Sequence, residues 1–288
     1  MILKENIKER PCGAPAYFER HIMTNILANY HTHTQRCGHA AGTEEDYVRA
    51  ALCGTWQVLG FSDHVPWPYE SGFTNSGVRM PVEALPEHIA VLRKLREQYS
   101  GQLRLYLGFE CEYFPDYMVW LSEMKEAWGL DYLIFGNHFD RTDEGGFYYG
   151  GCTETAHIIS YTDNALKGME TGLFRYIAHP DLFLMDYPAF DATAKDCART
   201  LLTAAKEQRL PVEYNLQGIR LCERGLALGL GYPHREFWEL AAELGNTVIV
   251  GSDAHDPQEL RDTAAFTQAQ QMLRGMGLSV LPCLEELT

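Results

Sequence analysis

Histidines gather near the ends of short hydrophobic stretches in this chain. Seven of its 11 histidines end or follow such a stretch. They are His31, His33, His39, His64, His138, His179 and His255. Imidazole nitrogens are common ligands for zinc and other transition metals. The pattern therefore predicts a metal site wherever the fold brings these stretch ends together.

His31 and His33 are two residues apart, which is the side-chain period of a strand. Both imidazoles can then face the same side of the backbone, where one ion could take both nitrogens at about 2.0–2.1 Å. The alternative is a pair of polar histidines at a strand end with no ligand role. His39, six residues after His33, could face a second metal.

Carboxylates accompany several of these histidines. Glu110 and Glu112 are also two apart, so both can point inward and one could bridge two cations, although a solvated pair is the alternative. Asp63 and Asp253 lie beside His64 and His255 in SDH and SDAH. Helix capping by Ser or Asp is the alternative there. This number of candidate ligands favours a cluster of two or three metals over a single-metal site.

Other chemistry has little support in the sequence. There is no GxxxxGK[ST] phosphate loop and no GxSxG nucleophile motif. The glycine pairs at 145–146 and 150–151 predict a mobile loop that could line a pocket or form only a turn. The four remaining histidines are interpreted as structural or surface residues: His21, His88, His157 and His234.

The ligand candidates are separated by alternating strand-like and helix-like segments. Seven hydrophobic stretches predict buried parallel strands at 25–30, 57–62, 103–109, 130–136, 174–179, 210–215 and 247–252. Helices are expected over about 43–56, 81–99, 115–128, 153–171, 191–208, 234–244 and 257–275, the first opened by a capping arrangement of Thr43 and Asp46. This alternation predicts one α/β barrel, whose active site lies at the carboxyl ends of the strands.

Composition limits the class of protein. The chain has 288 residues, 46% hydrophobic and 22% charged, with a formal net charge of −15. The acidic balance argues against nucleic-acid or membrane partners, and no apolar stretch is long enough to span a bilayer. Eight cysteines without a CxxC pattern, and no signal-peptide pattern, favour reduced thiols and a cytoplasmic location. The composition is compatible with a homo-oligomer.

The barrel domain is expected over residues 25–288, with residues 1–24 as an N-terminal arm or extension. Met23 directly precedes the first predicted strand. It is therefore an alternative start of the protein, the other interpretation being that the preceding segment packs as an N-terminal arm.

Seven motifs occur in order: HTHTQRCGHAAGTEEDYVRAA, GFSDHVPWP, GFECEYFPD, GNHFD, IAHPDLF, EYNLQGIR and VIVGSDAHDP. Together they resemble the polymerase-and-histidinol-phosphatase (PHP) superfamily, most of all its monofunctional histidinol-phosphatase branch. The resemblance covers about residues 25–275. It implies a distorted (β/α)7, TIM-like barrel with a metal cluster at the carboxyl rim.

The resemblance also implies a ligand set. One metal would take His31, His33, Glu110 and Asp253, and a second would share Glu110 and take His138 and His179. A third would take His39, His64 and His255. Glu110 is preferred to Glu112 because the family motif is Gly-x-Glu, and Asp63 is then expected to orient a ligand imidazole. The ions would be two or three divalent cations, with zinc, manganese and iron all suited to these ligands.

The activity implied by the resemblance is hydrolysis of L-histidinol phosphate, in histidine biosynthesis, by attack of metal-activated hydroxide. Arg220 is expected to bind the phosphate, with a surface arginine as the alternative, and Asp140 and Asp181 are candidate proton donors. Leu216 and Gln217 depart from the branch's two hydroxyl residues. Other hypotheses are a phosphoesterase for another small phosphate ester or nucleotide, a DNA-associated exonuclease domain, and a non-catalytic metal-binding module.

Overall fold

A computed structural model describes residues 26–284. Its short strands are β1 (Ala28–Asn29), β2 (Val58–Phe61), β3 (Arg104–Cys111), β4 (Tyr132–Phe135), β5 (Val212–Asn215), β6 (Thr247–Gly251) and β7 (Ser279–Val280). They pair in parallel in the orders β1-β2-β3-β4 and β5-β6-β7. The expected arm, residues 1–24, and Met23 lie outside the described residues.

Single bridges join these two groups of strands. Ile177 pairs in parallel with Phe135 and with Val212, and Thr32 pairs with Ala254. The result is an α/β fold with a curled parallel sheet.

The strand predicted over 174–179 is wrong in its extent, since only Ile177 forms a bridge there. His179 has a φ of 30°, which ends the extended backbone, and Pro180 and Pro211 offer no amide hydrogen for a longer ladder. The short strand β7 was not among the seven predicted.

Eight helices connect or flank the strands of the described segment. They are α1 (Glu44–Cys53), α2 (Leu85–Tyr99), α3 (Met118–Ala127), α4 (Thr155–Glu170), α5 (Ala192–Glu207), α6 (Leu216–Glu223), α7 (Arg235–Leu244) and α8 (Ala264–Gly275). The seven predicted helices are confirmed, including the reciprocal Thr43–Asp46 capping box. Helix α6 was not predicted, because it is only eight residues long, contains Gly218 and begins directly after β5.

Hydrophobic side chains of the helices and of one strand face form a continuous core from Tyr47 to Leu278. The other face contributes a smaller buried cluster that includes Ala28, Val58 and Ile249. Burial on both faces explains why the strands are continuously hydrophobic. Within residues 26–284, no helix combines the length and apolarity required to cross a bilayer.

Candidate metal centre

Glu110, near the carboxyl end of β3, is the shared centre of the site. Five imidazole nitrogens lie 2.8–3.4 Å from its two carboxylate oxygens. The side chain of Glu110 is buried, with only 1% of its surface exposed. These nitrogens belong to His31, His33, His64, His138 and His179. The carboxyl ends of separate strands thus bring distant sequence positions together, as expected for parallel α/β folds.

One group of ligand atoms surrounds Nε2 of His31 and Nε2 of His33, which are 3.1 Å apart. Oδ1 of Asp253 lies 3.4 Å from the first nitrogen and 3.2 Å from the second, and Oε2 of Glu110 lies 3.3 Å from each. Two ligands of one tetrahedral zinc ion are themselves about 3.3 Å apart, given bonds of about 2.0–2.1 Å. The spacing therefore suits a single small cation.

A second group lies on the other oxygen of Glu110. Oε1 is 2.8 Å from Nε2 of His179 and 3.3 Å from Nε2 of His138, and these two nitrogens are 3.2 Å apart. Glu110 therefore offers one oxygen to each group. Such an arrangement would let its carboxylate bridge two cations.

Unpaired buried atoms provide an independent test of whether these residues fit a metal. Oδ1 of Asp253 and Nδ1 of His64 are buried without a hydrogen-bond partner. A buried carboxylate oxygen without a partner is costly unless a cation satisfies it. The donor set and these two atoms fit divalent cations.

His39, His64 and His255 lie next to the first group but form a looser set. The ring centroid of His39 is 5.5 Å from that of His64 and 4.8 Å from that of His255. Nδ1 of His39 lies 2.8 Å from the carbonyl oxygen of Cys37, and Nδ1 of His255 lies 2.9 Å from that of Asp253. A carbonyl can only accept, so each Nδ1 carries the hydrogen and each Nε2 keeps a lone pair.

The pKa shifts describe a pocket that attracts cations. Burial opposes ionisation of Glu110, yet His138, His31 and His64 hold the pKa of its carboxyl well below the usual range. Burial likewise opposes the charged form of His33, but the nearby carboxylates of Asp253 and Glu110 raise the pKa of that imidazole to about 9. Burial and the neighbouring His33 lower the pKa of His255 to about 3, which keeps this imidazole neutral.

Three of the ligand candidates have a buried partner on their other ring nitrogen. Nδ1 of His31 lies 2.8 Å from Oε1 of Glu213, and Nδ1 of His138 lies 3.1 Å from Oε1 of Glu112. Nδ1 of His33 lies 3.4 Å from Sγ of Cys37. Such partners fix the tautomer and the ring orientation of metal-binding histidines.

Asp63, expected to orient a ligand imidazole, accepts hydrogen bonds from the Thr34 amide at 2.7 Å and the Cys37 thiol at 2.9 Å. That thiol also contacts Nδ1 of His33. Asp63 is therefore linked to the His33 imidazole indirectly, through the side chain of Cys37.

Two ligand candidates occupy strained backbone. His179 and Asp253 have φ values of 30° and 47°. Residues other than glycine rarely adopt positive φ values. Such strain persists only where the surroundings impose it, and it is concentrated at functional sites. The Glu213 carboxylate accepts a hydrogen bond from the His179 amide at 3.1 Å. Asn215 donates to Oδ2 of Asp253 at 3.0 Å, so both residues are held from β5.

A cavity of about 410 Å³ opens above these ligands. Its wall adds apolar and neutral polar side chains to the ligand candidates: Val78, Phe139, Tyr148, Leu182, Gln217, Leu221 and Tyr232. No lysine or arginine of residues 26–284 lines it. Its volume suits a small organic ligand, and any anionic group bound there would depend on cations and neutral donors.

Three residues proposed from the sequence for substrate chemistry are not among the side chains that line this cavity. Nη2 of Arg220 donates to the carbonyl oxygens of Ser252 and Asp253 at 2.7 and 2.9 Å. Oδ1 of Asp140 accepts from the Phe147 amide at 2.7 Å.

Asp181 is fully buried, with the His234 amide 2.8 Å and the Trp238 indole 3.0 Å from its Oδ2. Burial raises the pKa of Asp181 to about 7.

Sequence reasoning did not assign roles to Glu213, Cys37 or the cavity residue Gln217, and it considered Glu112 only as a possible metal ligand. One available signal was Glu213, a charged residue inside the buried stretch LPVEYN, since a buried charge implies a partner. The four histidines set aside include His88, which is buried with Nδ1 3.0 Å from Glu44. His21 lies outside the described residues.

The family model of the PHP domain matches residues 29–217. The chain therefore belongs to the PHP domain family.

Particular relatives cover most of the chain. A probable histidinol-phosphatase of Deinococcus radiodurans is 30% identical over 273 residues, covering 87% of this chain and 94% of that protein. The histidinol-phosphatase of Bacillus subtilis is 29% identical over 257 residues, or 78% and 92% of the two chains. The histidinol phosphate phosphatase of Lactococcus lactis, crystallised with zinc, L-histidinol and phosphate, has a TM-score of 0.68 at 15% identity, over 90% of this chain and 96% of that one.

Proposed function

We propose that this protein is a metal-dependent phosphomonoesterase that hydrolyses L-histidinol phosphate to L-histidinol and phosphate. The observation that carries the proposal is Glu110, whose carboxylate meets five imidazoles beneath a cavity of about 410 Å³. The names of the two relatives that match most of the chain support the choice of substrate. An intracellular biosynthetic enzyme also agrees with the absence of disulfides among the cysteines of residues 26–284.

The ligand assignment is part of the proposal. His31, His33, Asp253 and Glu110 would hold one divalent ion, and Glu110, His138 and His179 a second. His39, His64 and His255 would hold a third, and zinc, manganese and iron all suit these donors. When bound, such ions lower the pKa of water towards neutrality and balance the charge of a phosphoryl group.

The chain's own groups would orient and enclose the substrate. Glu213, Glu112 and Cys37 hold three ligand imidazoles at fixed angles, so little reorganisation is required during reaction. Phe139, Leu182 and Leu221 supply apolar contact for an organic moiety and exclude water from one side of the cavity. The leaving oxygen needs a proton, and Asp140 and Asp181 remain proposed donors, although neither lines the cavity.

The fold proposed for this chemistry is the seven-stranded barrel of the resemblance. The bridges made by Ile177 and by Thr32 with Ala254 support closure, because they connect the two groups of strands at both sides. Closure would place all the ligand candidates on one rim.

The decisive experiment is phosphate release from L-histidinol phosphate by the purified chain. Reconstitution with zinc, manganese or iron should give activity that a chelator abolishes and the same metal restores. Turnover of p-nitrophenyl phosphate and of a nucleoside monophosphate provides the comparison. A higher kcat/KM for either of these than for histidinol phosphate would contradict the proposed substrate, and full activity after complete metal removal would contradict the proposed chemistry.

A further inference from the structure

Gln217 lines the cavity with a carboxamide whose orientation is fixed. Its side chain lines the cavity wall from the first turn of α6. Oε1 accepts a hydrogen bond from Nε of Arg220 at 2.7 Å. Arginine offers donors only, so the carboxamide oxygen must face the guanidinium and the NH2 group must face away from it. No acceptor within residues 26–284 takes a hydrogen bond from that NH2 group.

Arg220 is itself held in place. Its Nη2 donates to the carbonyl oxygens of Ser252 and Asp253, and its Nε also lies 3.0 Å from Oε1 of Glu259. The same guanidinium thus contacts Gln217 and the backbone of a ligand candidate. Arg220 therefore fixes Gln217 on the side of the cavity that Asp253 also lines.

The cavity needs neutral donors if it is to bind an anion. No lysine or arginine of the described segment lines it, and the first turn of a helix favours negative charge nearby. Besides the ligand candidates, Gln217, Tyr148 and Tyr232 are its polar lining side chains. Of these three, Gln217 has its acceptor atom occupied by Arg220.

We propose that the NH2 group of Gln217 donates a hydrogen bond to a phosphate oxygen of the substrate, with Arg220 as the positioning residue that orients it. This inference rests on the proposed function only in requiring a phosphate ester. It assigns the arginine of the EYNLQGIR motif an indirect role in phosphate binding.

Two substitutions separate phosphate binding from support of Arg220. Gln217→Glu keeps an acceptor for Arg220 but replaces the donor with a negative oxygen. Gln217→Met has a similar length and removes both functions. The exposed Gln271 of α8 provides the control, since Gln271→Glu adds the same charge away from the cavity.

The measurements are the inhibition constant of inorganic phosphate, KM, metal content, and the rise in Tm that phosphate gives to the metal-loaded protein. We expect Gln217→Glu to weaken phosphate binding by about ten- to a hundred-fold, as for a lost hydrogen bond to a charged group. Its metal content should stay at the level of the unaltered protein. Gln217→Met should weaken phosphate binding less, and Gln271→Glu should change nothing.

Retention of phosphate binding in Gln217→Glu would overturn the inference, whatever Gln217→Met does, because a supporting residue alone tolerates that change. The phosphate measurements do not depend on histidinol phosphate. If the unaltered chain prefers another ester, the proposed substrate fails while the phosphate data still decide the role of Gln217.

Discussion

Nδ1 of His138 lies 3.1 Å from Oε1 of Glu112, and the same carboxylate oxygen is 3.0 Å from Nη2 of Arg79. Oε2 of Glu112 accepts a hydrogen bond from the Trp67 indole at 2.8 Å. A fully buried ion pair thus supports the imidazole of a candidate ligand on the side away from Glu110. Glu112, which the resemblance did not select as a ligand, instead contacts a candidate ligand.

Glu112→Gln should lower metal affinity at the His138 and His179 group by about 10–100-fold, as loss of an orienting partner does. The reason is that an amide has one acceptor oxygen to share between His138 and Arg79. Metal titration against a competing chelator measures the change, and urea unfolding measures the accompanying loss of stability. Glu123→Gln, on the exposed side of α3, is the control. Equal metal affinity in both variants would refute the role of Glu112.

Gly136→Ala should disrupt the centre sterically. A Cβ at this position would lie 2.3 Å from Oε1 of Glu110 and 2.4 Å from Cε1 of His138, closer than any unstrained contact. Metal content after reconstitution should fall below that of the unaltered protein, and activity should fall with it. Gly151→Ala is the matched control, because its Cβ would meet no atom within 4 Å. Normal metal content in Gly136→Ala would show that Glu110 can move without loss of the site.

Arg220→Lys should reduce kcat/KM by about ten- to a hundred-fold, because an ammonium cannot reproduce the planar set of bonds made by a guanidinium. Those bonds hold the Ser252 and Asp253 carbonyls. Metal content should therefore fall as well, whereas an arginine that only bound phosphate would leave it unchanged. Kinetics and metal analysis of the same preparation distinguish these outcomes, with exposed Arg274→Lys in α8 as the control.

Glu44 should make stability depend on pH. Burial opposes its charged form, but hydrogen bonds to His88 and Arg36 lower the pKa of its carboxyl to about 2. A lowered folded-state pKa stabilises the protein above the unfolded value, near 4.5, and this contribution is lost as the pH falls towards 2.

Glu44→Gln should therefore lower the free energy of unfolding by roughly 3 kcal/mol at pH 7, and by less than half of that at pH 3. Urea unfolding at both pH values measures this, and a cost that does not change with pH would contradict the assignment.

Local patterns allowed the helices and most ligand candidates to be predicted. The capping box of Thr43 and Asp46 is a short-range signal, and the HxH spacing directly places two imidazoles on one side of a strand. The orienting partners could not be predicted in this way. Glu213 meets His31 across 182 positions of sequence, so their contact exists only after β5 and the end of β1 have been brought together.

The position of Arg220 shows a second limit. The motif identified the residue, but not the direction of its guanidinium, which depends on the Ser252 and Asp253 carbonyls of a remote loop. The strand predicted over 174–179 is wrong in its extent for a related reason. The positive φ of His179 serves the placement of its imidazole and interrupts the strand that the hydrophobic pattern favours.

The absence of lysine and arginine from the cavity wall of the described segment has a kinetic consequence. A phosphate dianion approaching that wall without bound cations meets the carboxylates of Glu110 and Asp253 and finds no lysine or arginine to pair with, within a chain of net charge −15. Two divalent ions would bring about four positive charges next to these carboxylates. Binding should then follow a compulsory order, with cations before the ester. A shortage of the metal would therefore weaken substrate binding as well as slow the reaction.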